Sequence, residues 1–351
     1  SPEKAVVVGG GFIGLEMTKN LQHQGLKDSM VELAEQVMSQ FDYEMASMMH
    51  NNLRSEGIKL YLNNGIAEID NSHNNSQVAL GDGKRLEADM VILALGVNPN
   101  TELAETAGLE IGESGGIKVD GYLRTSDKNI YAVGDAIEVK DFATRAPVRI
   151  PLAGPANKQA RIVANNIHGD KEKYRGTQGT SVAKIFEQTV AATGDNQKQL
   201  EEAGIDYEVS YINGSHHVSY YPGAEPMFIK ILYTADEGRL LGAQIVGHDG
   251  VDKRIDVFST AIRNGQTVFD LQELELAYAP PYGAAKDPVN MAGFVAGNTL
   301  KGRVEFIHWH QMDQLPQDSI ILDVREEGET RLGQINGAVN IPLNHLRERL
   351  E

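Results

Sequence analysis

The first residues able to do chemistry stand close to the start of the chain. Gly9-Gly10-Gly11-Phe12-Ile13-Gly14 carries the pattern G-x-G-x-x-G, and an acid, Glu32, follows at the spacing of a dinucleotide fingerprint. Gly9 permits a tight turn after a strand, Gly11 lets a pyrophosphate approach the backbone, and Gly14 allows a helix to pack on that strand. Phe12 and Ile13 open the helix, whose free N–H groups and dipole favour an anion. Glu32 can accept hydrogen bonds from a ribose diol, and its charge repels a 2′-phosphate, which favours NAD(H) over NADP(H). The competing structural reading is a glycine turn at the top of some other α/β sheet. Glu16, one helical turn further in, reads either as a solvated acid stabilised by the dipole or as a residue near the nicotinamide edge.

Further residues invite chemistry with less support from spacing. Gly96 closes a strand before Pro99, as either a turn glycine or a nucleotide contact. Asp135 follows Gly134 at a strand end, where an acid also serves as a turn or cap residue. Asn157 can cap a helix after the Gly154-Pro155 turn. His216-His217 raises a metal reading, but adjacent side chains are expected to diverge, and no metal site is assigned. The chain has no cysteine, so disulfides and thiolate metal sites are excluded. A formal charge of -17 disfavours nonspecific nucleic-acid or anionic-membrane binding. No apolar run approaches the roughly 20 residues of a membrane span.

These residues need elements to hold them. Lys4–Val8 reads as a buried parallel strand, followed by a helix with Ile13, Met17 and Leu21 on one face and Gly25 as its stop. The strand ending at Glu32 reads poorly, because Lys27, Asp28 and Ser29 stand where apolar residues are expected. Asp42 is a candidate cap for a helix bearing Met45, Met48, Met49 and Leu53. Ile58, Leu60 and Leu62 alternate as a strand. Residues 77–87 form a hairpin around Gly81-Asp82-Gly83, and 89–95 form another buried strand. Residues 115–119 and 130–133 are expected strands. Residues 157–167 are an expected helix with Ala160, Val163, Ala164 and Ile167 on one face. Long strands at 227–233 and 239–247 precede a helix burying Val251, Ile255, Phe258 and Ile262. A linker-like stretch then leads to a buried strand at 319–324. Both chain ends look cut, since Ser1 leads straight into a strand pattern and Glu351 lies inside a helical run.

Taken together, the motifs resemble the FAD-dependent pyridine nucleotide-disulfide oxidoreductases, nearest the coenzyme A-disulfide reductase branch with a C-terminal rhodanese domain. VVVGGGFIGLEM is similar to that family's NAD fingerprint, LRTSDKNIYAVGDA to its second FAD motif, PLAGPANKQAR to the segment beneath its flavin, and YAPPYGAAKDPVNMAGFVAGN to part of its dimerisation domain. The resemblance implies an α/β protein: a Rossmann-like NAD domain over 1–112, the C-terminal part of an FAD domain over 113–178, an α+β dimerisation domain over 179–300, a linker over 301–318 and the beginning of a rhodanese-like domain over 319–351. It implies that Asp135, with Thr125 and Ser126 at the family spacing, meets the flavin ribityl chain. It also implies that Leu152, Ala153 and Gly154 lie near the isoalloxazine, with Asn157 on the helix beside it, and that Gly96 lies near the nicotinamide half.

The resemblance further implies a homodimer, in which tyrosines of one subunit serve the partner's disulfide site. Tyr282, Tyr221 and Tyr278 are the candidates, with Tyr220 beside them and interface packing as the other reading. Lys286 is a candidate contact for coenzyme A phosphates. Asp323 and Arg325 match an early rhodanese acid–arginine pattern, with Arg325 expected to pair with Glu329. The implied reaction carries hydride from NAD(P)H through FAD to a disulfide, persulfide or polysulfide, with coenzyme A as substrate or ligand. That activity is expected of the parent enzyme, while this stretch alone is expected to hold FAD poorly and reduce nothing. Three alternatives stand beside it: an NADH oxidase or peroxidase, a ferredoxin or rubredoxin reductase, and a non-catalytic nucleotide sensor or scaffold. The cytoplasm is the expected location, with no nucleic-acid or membrane partner.

Overall fold

The computed structural model describes residues 2–71, 76–316 and 318–349; Ser1, Leu350 and Glu351, where cut ends are expected, lie outside the described residues. The chain divides into two compact units, Ser1–Lys301 and Gly302–Glu351.

The first unit opens with β1 (Lys4–Val8), α1 (Phe12–His23), β2 (Lys27–Val31), α2 (Tyr43–Ser55) and β3 (Lys59–Tyr61). The hairpin strands β4 (Ile66–Asp70), β5 (Ser76–Leu80) and β6 (Arg85–Ala88) follow, then β7 (Met90–Leu93) and the short α3 (Glu102–Thr106). The main sheet runs β3-β2-β1-β7, parallel throughout. The polar stretch Lys27-Asp28-Ser29 is therefore a true strand: all three residues pair with β1, and Ser29 pairs with β3 as well. Position between two strands overrides its poor propensity. The 89–95 stretch is not buried as expected: it lies at the sheet edge, and Leu93 and Leu95 are exposed.

The buried face of α1 also differs from the expected stripe. Gly14, Leu15 and Thr18 face the interior, while Ile13 is exposed. Gly14 sets this face, because its missing Cβ lets the helix close on the turn. In α2, Met45, Ala46, Met49, His50 and Leu53 are buried. Asp42 occupies the N-cap position but makes no capping hydrogen bond; its carboxylate is taken up elsewhere.

The middle of the unit contains β8 (Ile117–Lys118), β9 (Ile137–Lys140) and β10 (Pro147–Val148), ordered β10-β9-β8. The expected strand at 130–133 is absent. That stretch makes a single bridge, Arg124 to Tyr131, and the strand comes after Asp135 instead. With Ile130 and Val133 exposed, the apolar run has no second strand to ladder with among the described residues. Next, α4 (Ala153–Ile167) starts earlier than expected. Gly154-Pro155 is its first turn rather than a preceding loop, since proline's missing N–H costs nothing there. Its buried residues are Gln159 and Ile162, not the Ala160–Val163–Ala164–Ile167 face.

A five-stranded antiparallel sheet completes the unit: β11 (Ser181–Ile185), β12 (Gln188–Gly194), β13 (Tyr207–Ser215), β14 (Pro226–Thr234) and β15 (Leu240–Gly247), in the order β11-β12-β15-β14-β13. The short α5 (Gln197–Glu202) sits between β12 and β13. Helices α6 (Val251–Arg263), α7 (Val268–Glu273) and α8 (Pro288–Leu300) share one apolar core with the sheet, including Val251, Ile255, Phe258 and Ile262 as the periodicity requires.

The second unit contains β16 (Leu322–Asp323), α9 (Glu327–Thr330) and β17 (Val339–Asn340), with β16 and β17 parallel. Its opening strand is shorter than expected and not buried. Arg325 pairs with Asp323 at 2.7 Å and donates to the Gly333 carbonyl, whereas Glu329 accepts from the Glu326 amide. Among the described residues no helix is long and apolar enough to cross a membrane.

Candidate functional site

The glycine turn opens onto a cavity of about 1030 Å³ at the carboxyl ends of β1 and β2. The three glycines of the fingerprint differ in what confines them. Gly9 has φ +107°, and a Cβ there would stand 2.2 Å from the Ala94 carbonyl oxygen. A Cβ on Gly14 would stand 1.9 Å from the Gly9 carbonyl oxygen. Gly11 is the N-cap of α1 and has nothing within 4 Å of a Cβ, so its open side faces the cavity. The first-turn amides of α1 are not capped by a side chain. An open, uncapped helix start beside a glycine fits a pyrophosphate.

Glu32 lines the same cavity. Its Oε2 accepts from the Gly10 amide at 2.6 Å and its Oε1 from the Ala34 amide at 2.9 Å. Two backbone donors thus fix the carboxylate, and its remaining lone pairs are available to a diol. Phe12, Ile13, Glu16 and Gly96 also line the cavity, Gly96 with φ +91°.

Asp135 and Leu152 line the cavity too, so nucleotide-side and flavin-side candidates share one space. Gly134 has φ +84° and its amide donates to Gln159 Oε1 at 2.8 Å. The buried Gln159 thereby fixes the turn that presents Asp135; a polar residue inside a helix gives no such signal in sequence. Thr125 closes its own turn, accepting from the Asp127 amide and donating to the Ile130 carbonyl at 3.0 Å, and Ser126 Oγ accepts from the Glu110 amide. Ala153, Gly154 and Asn157 are not in the wall of the large cavity. Gly154 lines a separate 340 Å³ pocket with Lys158 and Arg263. Asn157 does not cap α4; its Nδ2 donates to the Ala153 carbonyl from inside the helix. Arg149, unremarked in the sequence, donates to the Val97 carbonyl at 3.0 Å and ties the flavin-side segment to the Gly96 loop.

The tyrosines form a second locus. Tyr278 and Tyr282 line a 510 Å³ pocket with His216, Asp249, Lys253 and Arg254. The Tyr220 and Tyr278 hydroxyls lie 3.2 Å apart, and Tyr221 stacks edge-on against His217. Within one chain, none of these residues lines the nucleotide cavity. His216 and His217 do not diverge: their rings pack edge to face, 4.1 Å between centroids. His216 Nδ1 accepts from the Glu225 amide at 3.1 Å. The loops are held by Arg254, buried, which pairs with buried Asp287 at 2.8 Å and donates to the His216 carbonyl at 2.7 Å. Lys286 is exposed. Burial, and then the neighbouring Asp141 carboxylate, push Asp195 up to about 8.

Residues 1–160 match the family described as pyridine nucleotide-disulphide oxidoreductase, and residues 180–287 match its dimerisation domain. The chain is 34% identical to a coenzyme A disulfide reductase of Staphylococcus aureus over 84% of its own length, and spans 66% of that relative. Reduced Bacillus anthracis CoADR-RHD superposes with a TM-score of 0.95 at 48% identity, covering 99% of this chain and 63% of the other. A FAD-dependent pyridine nucleotide-disulphide oxidoreductase from Desulfovibrio vulgaris superposes with a TM-score of 0.71 at 32% identity, covering 86% of this chain and 72% of the other. The water-forming NADH oxidase of Lactobacillus brevis, at 24% identity and a TM-score of 0.82 over 87% of this chain and 68% of the other, shares the fold. The expected architecture is borne out: a Rossmann-type nucleotide-binding region, a separate α+β dimerisation domain and a C-terminal unit consistent with a rhodanese-like fold.

The expected sulfur chemistry is corrected. Reducing a disulfide or persulfide through a mixed disulfide needs a protein thiolate, and these 351 residues hold no cysteine. Neither serine nor tyrosine replaces it.

Proposed function

Because the chain belongs to the pyridine nucleotide-disulphide oxidoreductase family, we propose that it oxidises NADH through a flavin and delivers the electrons to dioxygen, the reaction class of NADH oxidases. The observation that carries this reading is that one cavity is lined both by Gly11, Glu32 and Gly96 and by Asp135 and Leu152. A bound FAD supplies the acceptor for the hydride and the donor to oxygen. Neither step calls on a cysteine.

The chain's own residues bind and orient. The α1 amides and Gly11 receive the pyrophosphate, Glu32 receives the adenosine ribose, and Gly96 lets the nicotinamide half lie against the backbone. Asp135, fixed through Gly134 and Gln159, accepts from the flavin's sugar-alcohol chain. Glu16, Phe12 and Ile13 complete the wall. Overall, NADH, a proton and dioxygen give NAD⁺ and hydrogen peroxide. The reading includes a homodimer formed through residues 180–287 and a cytoplasmic setting. It gives coenzyme A and Tyr221, Tyr278 and Tyr282 no step at the nucleotide cavity.

The test mixes the chain with FAD and NADH and records absorbance at 340 nm beside an oxygen electrode. NADH loss matched by oxygen uptake, and halted under argon, is expected. NADH loss that continues without oxygen, or no loss with flavin bound, would sink the reading.

A further inference from the structure

We propose that His50 is a positioning residue of the nucleotide site, its bare Nε2 holding the 33–41 loop against the glycine turn so that Glu32 is set for the ribose. This rests on the nucleotide reading above. The chain of contacts starts at Glu32, whose Oε2 accepts from the Gly10 amide at 2.6 Å. Gly10 is held from its other side as well, because its carbonyl accepts from the Met38 amide at 2.9 Å. Val37 packs directly on Gly10: a Cβ added to Gly10 would stand 2.8 Å from Val37 Cγ1. Glu32, Gly10, Val37 and Met38 therefore make one closed assembly, with the fingerprint turn as one wall and the loop as the other.

That assembly needs an anchor, because Met38 holds a left-handed backbone, φ 53°, which costs a residue with a Cβ. The anchor comes from α2. The Val37 amide donates to His50 Nε2 at 3.2 Å, and both residues are buried. A backbone amide can only donate, so Nε2 must carry no proton. Burial, and then the charge of Arg54 one turn along α2, push His50 down to about 4, which keeps that nitrogen bare at neutral pH. The other titratable neighbour on α2 is Tyr43, whose ring meets His50 edge-on with centroids 6.2 Å apart. The loop side brings half-buried Glu32 and the exposed Glu35. Supporting bonds keep the loop in register: Gln36 Nε2 donates to the Phe41 carbonyl at 2.8 Å, and the Asn63 amide to the Ala34 carbonyl at 2.9 Å. Losing the His50 acceptor leaves a buried amide unpaired and frees the loop from the turn.

The role is specific to the adenosine half of the ligand, which suggests the test. NADH and reduced nicotinamide mononucleotide, which lacks that half, are titrated against wild type, His50→Leu and His50→Gln, with nicotinamide fluorescence as the readout and circular dichroism as the fold control. His50→Leu should weaken NADH by about tenfold and leave the mononucleotide within about twofold. His50→Gln keeps an acceptor oxygen and should restore NADH to within about threefold of wild type. Unchanged NADH affinity in His50→Leu overturns the proposal. So does equal loss of both ligands, or a His50→Gln variant as weak as His50→Leu. Wild type that binds no NADH at all overturns the nucleotide reading itself and the proposal with it.

Discussion

At Asp28 a carboxylate sits inside a parallel sheet, 4% exposed, with neither oxygen hydrogen-bonded among the described residues. Burial pushes it up to about 6 from the usual 3.8. The sign follows from linkage: below the unfolded value both states are protonated and nothing is lost, and as pH rises towards 6 the unfolded chain ionises while the folded one resists, so stability falls. Above pH 6 the penalty is complete, on the order of 3 kcal/mol. Asp28→Val should therefore stabilise the protein at pH 7.5, and its advantage in urea denaturation should shrink by about 2 kcal/mol at pH 4.5. An advantage independent of pH would mean that the carboxylate has a partner in solution. The polar run at 27–29 was visible in the sequence as an anomaly; what was not visible is that the strand forms anyway, because β1 and β3 supply its ladder from positions far along the chain. The glycines are the opposite case. Backbone crowding of 1.9 and 2.2 Å leaves Gly14 and Gly9 no alternative, so their residue type alone carried the information.

Between elements, the join of α2 to the antiparallel sheet is polar. Lys230 on β14 is wholly buried and meets the Asp42 carboxylate at 2.6 Å, with Glu44 and Gln197 as further partners. Asp42 also accepts from the Gln197 amide at 3.0 Å and from Gln244 at 2.7 Å, and Tyr211 donates to Glu44 at 2.6 Å. Burial alone would raise Glu44, but the charge and hydrogen bond of Lys230 with the Tyr211 hydroxyl outweigh it and hold the carboxyl below its usual value. Its contribution is thus present above the unfolded value and lost as pH falls through the folded one. Lys230→Met should cost about 3–5 kcal/mol, because the buried Asp42 carboxylate and the half-buried Glu44 carboxylate are left without their cation. Adding Glu44→Gln should recover part of that, and a double variant no better than the single one would argue against the charge explanation. Asp42 looked like a helix cap because cap residues and buried ion-pair residues share the same letters. Locally read elements fared similarly: Gly154-Pro155 signals a turn and equally the first turn of a helix, and residues 130–133 have strand composition without a strand neighbour.

Across the whole molecule, stability is distributed unevenly. Among the described residues of the first unit, most buried apolar residues gather in five clusters, the largest spanning β12 to α8. Among the described residues of the second unit none is buried, and Leu332 and Ile320 are 92% and 83% exposed. Composition did not warn of this: the apolar run at 319–324 has the letters of a buried strand, and burial depends on packing partners that the run itself does not encode. Segments with few buried contacts open at low free energy and are cut first by proteases. Limited trypsin digestion should therefore nick near exposed Lys301 and leave a resistant 1–301 core. That core keeps every residue of the nucleotide cavity, so its NADH affinity should stay within about twofold of the intact chain, and its melting temperature within a few degrees. Simultaneous loss of both units during digestion, or a 1–301 core that no longer binds NADH, would show that the second unit is part of the cooperative fold and not an appendage to it.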